Sequence, residues 1–299
     1  MEVIKVKIIR FKITRKSYIS KTKKFVIFYT NNNSPASTIA VKQLLMKTKE
    51  EIVQNWLPRY TGKKLEDFSK YILLTNFNQY IHLFSEWYDS PIINSNMPNC
   101  SAEGITIINF GMGSPNAATI MDLLSAIDPK AVLFLGKCGG LKKKNKLGDL
   151  ILPIAAIRSD GTSNDYLPPE IPALPAFSLQ RAVSSTIRDY SRNYWTGTVY
   201  TTNRRVWEYD ERFKKYLEKT RAMAIDMETA TIFTVGFVNE IPTGALLLVS
   251  DQPMIADGVK TSKSDKLVNE KFVETHLKVG IKSLKELINQ GKSVKHLIF

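Results

Sequence analysis

The chain has 299 residues, of which 43% are apolar, and a formal net charge of +14 at pH 7. This apolar content is enough for the core of a large α/β domain and excludes a disordered or fibrous protein. Two cysteines without a CxxC spacing and three histidines leave little for a disulfide framework or a zinc site. Because no run of about 18 apolar residues occurs, we expect no membrane span. We expect a cytoplasmic protein that uses no metal and no cofactor.

Most of the excess charge lies in residues 1–45. This segment holds ten Lys or Arg residues against one acidic residue, Glu2, and the remaining 254 residues carry a net charge of +5. It lacks the compact apolar stretch and the small-residue cleavage site of a signal peptide, whereas a transit peptide or an RNA-binding arm would suit its charge. We interpret residues 1–45 as a flexible or wrongly included extension, with Met46 as the natural start, and residues 46–299 as the globular domain.

The first elements after Met46 follow from apolar spacing and helix breakers. The pattern predicts a helix that opens at residue 49 and ends through Pro58 and Gly62, then a short strand at 71–76. A helix-like spacing of apolar residues follows at 77–89, and we expect residues 94–100 to form a loop.

Residues 105–141 show the clearest pattern, which reads strand, glycine turn, helix, strand, glycine turn. The first strand ends at Gly111 and Gly113, and Ser114-Pro115 is typical of a helix start. The second strand, 131–135, is apolar on both faces, as expected for a parallel strand with helices on either side. The pattern therefore predicts a βαβ crossover.

The rest of the chain continues this alternation of strands and helices. We expect strands at 149–161, 195–203, 222–227 and 244–251, and helices at 179–191, 210–220, 228–240 and 267–290. Such alternation argues for a single α/β domain with a large central sheet and no second domain after Met46.

Polar residues follow several of the apolar runs, at the strand ends where open α/β sheets bind ligands. Five such places occur, at 111–114, 136–140, 201–205, 226–228 and 250–251. Each place has a structural alternative, because paired glycines form turns, Asp251 would suit a helix cap and Glu228 would suit a first helical turn. Their occurrence together is what indicates a ligand site.

Taken in order, the strings FGMGSPNAAT, LGKCGG, SDGTS, IDMETA and LLLVSD resemble the nucleoside phosphorylase and nucleosidase superfamily over residues 105–257. The longer strings NAATIMDLLS, YTTNRRVWE, DMETATIF and DQPM resemble the AMP nucleosidases within it. The resemblance implies a three-layer α/β/α sandwich with a central mixed sheet, hydrolysis of AMP to adenine and ribose 5-phosphate, and a homo-oligomer, commonly a hexamer. The span 46–104 is far too short for a separate regulatory domain.

The resemblance also implies roles for individual residues. Asp251 corresponds to the acid that protonates the purine at N7, which requires a desolvated pocket that raises its pKa. Glu228 corresponds to the acceptor of hydrogen bonds from the ribose 2′ and 3′ hydroxyls, where a carboxylate also favours positive charge on the sugar, and Met227 packs beneath that sugar. The other positions carried over as substrate-binding are Gly111, Gly113, Ser114, Lys137, Cys138, Gly139, Asn203 and Ser250.

Two segments depart from the phosphorylases of the superfamily, which bind inorganic phosphate with arginines. The corresponding segments here read LLTNF and VLFLGK, and Phe134 cannot bind phosphate. We therefore expect hydrolysis by water. The candidates for holding the substrate's own 5′-phosphate are Lys137, Arg158, Arg204 and Arg205, because ammonium and guanidinium groups match a phosphate dianion. Their structural alternative is a solvated surface or a salt bridge, and no residue is assigned to activate the water.

Three other functions stay open at this point. A nucleoside phosphorylase, or a nucleosidase for an unphosphorylated nucleoside, would differ in its dependence on phosphate. A non-catalytic nucleotide sensor is disfavoured because both Glu228 and Asp251 are kept. RNA binding through the basic arm is disfavoured because the body lacks an aromatic-basic repeat, so we expect no nucleic-acid partner.

Overall fold

The structure, a computed structural model, describes residues 47–190 and 192–290. The predictions for residues 1–45, and the boundary at Met46, lie outside the described residues and stay predictions. Within the described part of the chain, the residues from Glu50 onward pack as one compact unit. No helix in this described part is both long enough and apolar enough to span a membrane.

Eight strands of the described residues form one mixed sheet. They are β1 Tyr71–Thr75, β2 Asn99–Ala102, β3 Ile105–Asn109, β4 Ala131–Gly140, β5 Leu150–Ser159, β6 Tyr194–Thr202, β7 Ala224–Asp226 and β8 Thr243–Asp251. Strand β1 pairs in parallel with β3 and β4, and β4 pairs in parallel with β8, whereas β2 is antiparallel to β3. Further pairings of β5 with β8 and β6, and of β7 with β6 and β4, close β4, β8, β5, β6 and β7 into a ring.

The eight α-helices of the described residues cover both faces of this sheet. They are α1 Lys49–Thr61, α2 Asn78–Tyr88, α3 Ser114–Leu124, α4 Phe177–Asp189, α5 Glu211–Thr220, α6 Thr229–Val238, α7 Ser262–Lys271 and α8 Val273–Gln290. Alternate residues of each central strand enter opposite cores, because successive side chains of a strand point to opposite faces. Ile72 joins the core beneath α1, α3 and α6, and Leu73 joins the core beneath α2, α4 and α8. The predicted three-layer α/β/α sandwich with a central mixed sheet is confirmed.

Most predicted elements appear with small shifts in their ends, and four differ. Residues 99–102 form the edge strand β2, although their sequence NCSA has no apolar alternation. The long helix predicted at 267–290 is two helices, because Phe272, at φ −126°, interrupts it and α7 begins earlier, at a capping box formed by Thr261 and Ser264. Pro58 lies inside α1, which ends at Thr61. The next residue, Gly62, has a φ of 67°, which residues with a side chain rarely adopt.

Strand β4 extends five residues beyond its predicted end, through Gly140. Its partner β8 is nine residues long, and the two strands stay paired as far as Gly139 and Asp251. The second glycine turn of the predicted crossover is therefore strand, and it carries Lys137, Cys138 and Gly139 to the carboxyl end of the sheet.

Candidate active site

A cavity of about 110 Å³ lies at the carboxyl ends of β1, β4 and β8. All five polar places predicted from the sequence reach it. They contribute Met112, then residues 137–139, then Thr202, Arg204 and Arg205, then residues 226–228, and finally Ser250 and Asp251. In the described residues, no group of three or more His, Cys, Asp or Glu side chains could hold a metal ion.

Asp251 ends β8 and lines the cavity with only 9% of its surface exposed. Burial raises the pKa of its carboxyl group, and a hydrogen bond from Ser250 Oγ to Asp251 Oδ1, at 2.7 Å, offsets part of that shift. A β-bulge in the pairing of β4 with β8 brings Gly139 opposite Asp251, where an added Cβ would lie 3.1 Å from Oδ2. Asp251 does not cap a helix, since the next helix begins after Thr261.

Glu228 lies between β7 and α6 and is 2% exposed. Its Oε1 accepts a hydrogen bond from the backbone N–H of Gly113 at 2.7 Å, and its Oε2 accepts one from Met227 at 3.2 Å. Burial, with the nearby Asp226 carboxylate, raises the pKa of Glu228 to about 8. The hydrogen bonds from the Gly113 and Met227 N–H groups favour the charged form and oppose that shift.

Asp226 fixes the backbone that presents Glu228. Its carboxylate accepts hydrogen bonds from the Thr229 N–H at 2.8 Å and from the hydroxyls of Thr229 and Thr201 at 2.5 and 2.7 Å. These bonds cap α6 and tie it to β6. Ser114 Oγ donates to the Met227 carbonyl at 2.7 Å, so the start of α3 is joined to the same segment.

Lys137 lines the cavity, yet its side chain is only 4% exposed. Its ammonium group contacts Asp265 Oδ1 at 3.2 Å and Asn269 Oδ1 at 2.5 Å, and lies 4.4 Å from the centre of the Phe77 ring. Burial lowers the pKa of Lys137, and the Asp265 carboxylate opposes that shift. Lys137 is therefore paired with a carboxylate, as in the salt bridge of its structural alternative. It also lies at the cavity, as a ligand of the substrate phosphate must.

The three arginines proposed for the substrate phosphate occupy different places. Arg204 and Arg205 line the cavity, with their side chains 40% and 54% exposed, and pair with Asp210 and Glu208 respectively. Arg158 is not among the described residues that line the cavity. Its guanidinium group donates to a set of loop groups, namely the carbonyls of Ser163, Leu167, Pro168 and Ile171 and the side chains of Ser163 and Asn164. A guanidinium group bound to a loop in this way has no donor left for phosphate, so this geometry does not favour Arg158 as a phosphate ligand.

Four of the other predicted binding positions differ in how close they come to the cavity. Cys138 lines it, as Ser250 does. Gly111 donates its N–H to the Asn109 side chain at 2.9 Å and supports the turn without lining the cavity. Asn203 is also not among the described residues that line the cavity, although its neighbours Thr202 and Arg204 do line it.

Six residues that line the cavity lie outside the five predicted places, namely Asn76, Phe77, Trp207, Glu208, Ile225 and Lys260. Asn76 follows β1 directly, so the same rule of polar residues at strand ends could have found it. Phe77 offered no signal beyond its helix-like spacing. Lys260 follows Asp251 by nine residues in a lysine-rich stretch, where nothing in the sequence distinguishes it from its neighbours.

The sequence pattern of the phosphorylase superfamily matches residues 92–288, which is more than half of the chain. The chain belongs to the phosphorylase superfamily. The crystal structure of AMP nucleosidase from Bacteroides thetaiotaomicron is 61% identical to this superfamily member, with a TM-score of 0.74, and the match covers 82% of this chain and 100% of that one.

AMP nucleosidase from Escherichia coli K12 is 30% identical over 284 residues, a match that covers 79% of this chain. This phosphorylase-superfamily member spans only 58% of the length of that relative. The structure of purine nucleoside phosphorylase from Toxoplasma gondii, at 20% identity and a TM-score of 0.70, shares the fold.

Proposed function

We propose that this protein hydrolyses the N-glycosidic bond of AMP and releases adenine and ribose 5-phosphate. The observation that carries the proposal is one cavity that holds two carboxyl groups with raised pKa, Glu228 and Asp251, beside several cations. The high identity to the AMP nucleosidase of Bacteroides thetaiotaomicron, over the whole length of that chain, supports the same conclusion.

Asp251 is suited to protonate the departing adenine. Breaking the bond from ribose C1′ to the base leaves the electron pair on the purine, and a carboxylic acid near its N7 neutralises that charge. A carboxyl group can donate a proton at neutral pH only when its environment favours the protonated form. The burial of Asp251 at the end of an apolar strand provides that environment.

Glu228 is suited to act on the sugar side of the same bond. As the bond breaks, the ribose ring gains positive charge, and a carboxylate fixed beneath it stabilises that charge. The hydrogen bonds from Gly113 and Met227 hold the Glu228 carboxyl in place before the substrate arrives. Water then adds to C1′, and its proton leaves to solvent or to a group in the cavity.

The choice of hydrolysis over phosphorolysis is supported by Phe134. This residue stands where we expect a phosphorylase arginine, and it is fully buried against the Phe110 ring, 5.8 Å away between ring centres. An apolar side chain in the core offers no ligand for inorganic phosphate. The cations that line the cavity are then available for the phosphate of the substrate itself.

We further propose that the protein is a cytoplasmic homo-oligomer, hexameric as the superfamily resemblance suggests. The two cysteines, Cys100 and Cys138, are free and buried, which is compatible with a reducing compartment. Light scattering coupled to gel filtration measures the oligomeric state directly, and a monomer at working concentrations would contradict this part of the proposal.

The test is to incubate the purified protein with AMP, with and without inorganic phosphate, and to identify the sugar product by mass spectrometry. We expect adenine and ribose 5-phosphate at the same rate in both conditions. Ribose 1,5-bisphosphate, or a rate that depends on phosphate, would indicate a phosphorylase. Comparable kcat/KM values for AMP and adenosine would indicate a nucleosidase for unphosphorylated nucleosides, and no release of adenine would favour a nucleotide sensor.

A further inference from the structure

Two lysines at the cavity share a single carboxylate oxygen. The ammonium groups of Lys260 and Lys137 contact Asp265 Oδ1 at 2.9 and 3.2 Å. One carboxylate balances one ammonium group, so the three side chains together carry a net charge of +1. The two cations also repel each other, and Lys260 accordingly lowers the pKa of Lys137.

This unbalanced charge is largely removed from water. The side chains of Lys137 and Lys260 are 4% and 25% exposed, and both line the cavity. The Phe77 ring lies 4.4 Å from the Lys137 ammonium group and 5.9 Å from that of Lys260, so an aromatic face supports both. A buried charge is costly unless an opposite charge compensates it, and an anion that enters the cavity would supply that compensation.

The arginines of the same cavity offer a contrast. Arg204 pairs with Asp210 at 2.8 Å and Arg205 with Glu208 at 3.5 Å, and each pair is neutral. Their guanidinium groups are also about half exposed, where water screens their attraction for an anion. Among the four cations that line the cavity, the two lysines therefore share one carboxylate, whereas each arginine has a carboxylate of its own.

We propose that Lys137 and Lys260, held together by Asp265, form the subsite for the 5′-phosphate of the substrate; this inference rests on the proposed hydrolysis of AMP. Both ammonium groups donate to oxygens of the phosphate dianion, which neutralises the unbalanced charge. Asp265 and Asn269, one turn apart on α7, are positioning residues that hold the lysines in place. The subsite is thus built by β4, by the segment after β8 and by α7, and it selects a nucleotide over a nucleoside.

The test compares AMP with adenosine in Lys260→Met, which keeps the length of the side chain and removes its charge. We expect kcat/KM for AMP to fall about 10- to 100-fold, as for the loss of a hydrogen bond to a charged group, and kcat/KM for adenosine to fall by a much smaller factor. Inhibition by ribose 5-phosphate should weaken by a similar factor. Lys260→Arg, which keeps the charge, should retain most of the preference for AMP.

Lys266→Met is the matched control, because Lys266 lies on α7 with its side chain 76% exposed and outside the cavity. Equal losses with AMP and adenosine would overturn the inference and indicate that Lys260 acts through Asp251, whose pKa it lowers. Unchanged kinetics, or a loss selective for AMP in Arg205→Met instead, would also overturn it. If wild-type protein does not cleave AMP at all, the proposed function itself fails, and the two failures are thereby distinguished.

Discussion

Replacing Asp251 by Asn tests the proposed acid with little change in shape. The one side-chain hydrogen bond that the structure gives this carboxyl group comes from Ser250 Oγ to Oδ1, and the amide oxygen of Asn can accept it equally. The substitution also removes an ionisable group from a buried site, so we expect the free energy of unfolding to change by less than about 1 kcal/mol. What the variant loses is the proton that the carboxylic acid donates.

The size of the kinetic effect follows from that single loss. General acid catalysis by a positioned side chain contributes about 100- to 10,000-fold, which corresponds to roughly 3 to 5 kcal/mol of the activation free energy. The raised pKa of Asp251 also sets a sign for the dependence on pH. Because the acid form is the active one, turnover by the wild type falls as the pH rises through that pKa, and the variant should lack this decrease.

The assay measures adenine release over a series of pH values, together with the affinity for a non-hydrolysable AMP analogue. We expect kcat to fall within the stated range while the affinity for the analogue is kept, because the fold and the rest of the cavity are unchanged. Near-normal turnover, or a loss of analogue binding as large as the loss of kcat, would show that Asp251 does not act as the acid.

Three further predictions concern other parts of the molecule. Glu228→Gln should slow hydrolysis and should remove the loss of stability that the wild type shows as the pH rises from about 4.5 to its folded-state pKa of about 8. Equal pH dependence of the two melting curves would contradict this. Asp226→Ala should destabilise the protein by about 3 kcal/mol in urea unfolding, since it leaves buried donors of Thr201 and Thr229 unsatisfied, whereas Glu211→Ala, exposed on α5, serves as the control. A chain that begins at Met46 should keep its fold and its hydrolysis, and an insoluble truncated protein would assign residues 1–45 a structural role.

The layers of the fold could be predicted because the signals are local. The apolar run of 131–135 marks a strand buried on both faces, and Ser114-Pro115 marks the start of α3. Strand β2 could not be predicted, because its residues NCSA show no apolar alternation and it is recognised only by its pairing with β3. The break at Phe272 was missed for a related reason, since both α7 and α8 continue the same spacing of apolar residues.

The candidate site was predictable where polar residues end buried strands, as Asp251 and Glu228 do. Arg158 was a candidate because a guanidinium group matches a phosphate dianion, but its guanidinium group folds back on the loop that follows β5, and a loop conformation cannot be derived from one sequence. Lys260 was missed because its partner Asp265 reaches Lys137 only through tertiary packing. The pairing of each cation with a carboxylate depends on contacts between segments that are distant in the sequence. The spacing of residues along the chain does not reveal those contacts.

Helix α7 is held to the rest of the protein far more weakly than the strands that carry the two carboxyl groups. Val268 is its one fully buried side chain, whereas all nine residues of β8 are buried. Segments with few buried apolar contacts open at a lower free energy than the core, so α7 detaches before the sheet does. Asp251 and Glu228 therefore keep the spacing that the closed ring of strands imposes, whereas Asp265 and Asn269, which hold Lys137, belong to the less firmly packed helix.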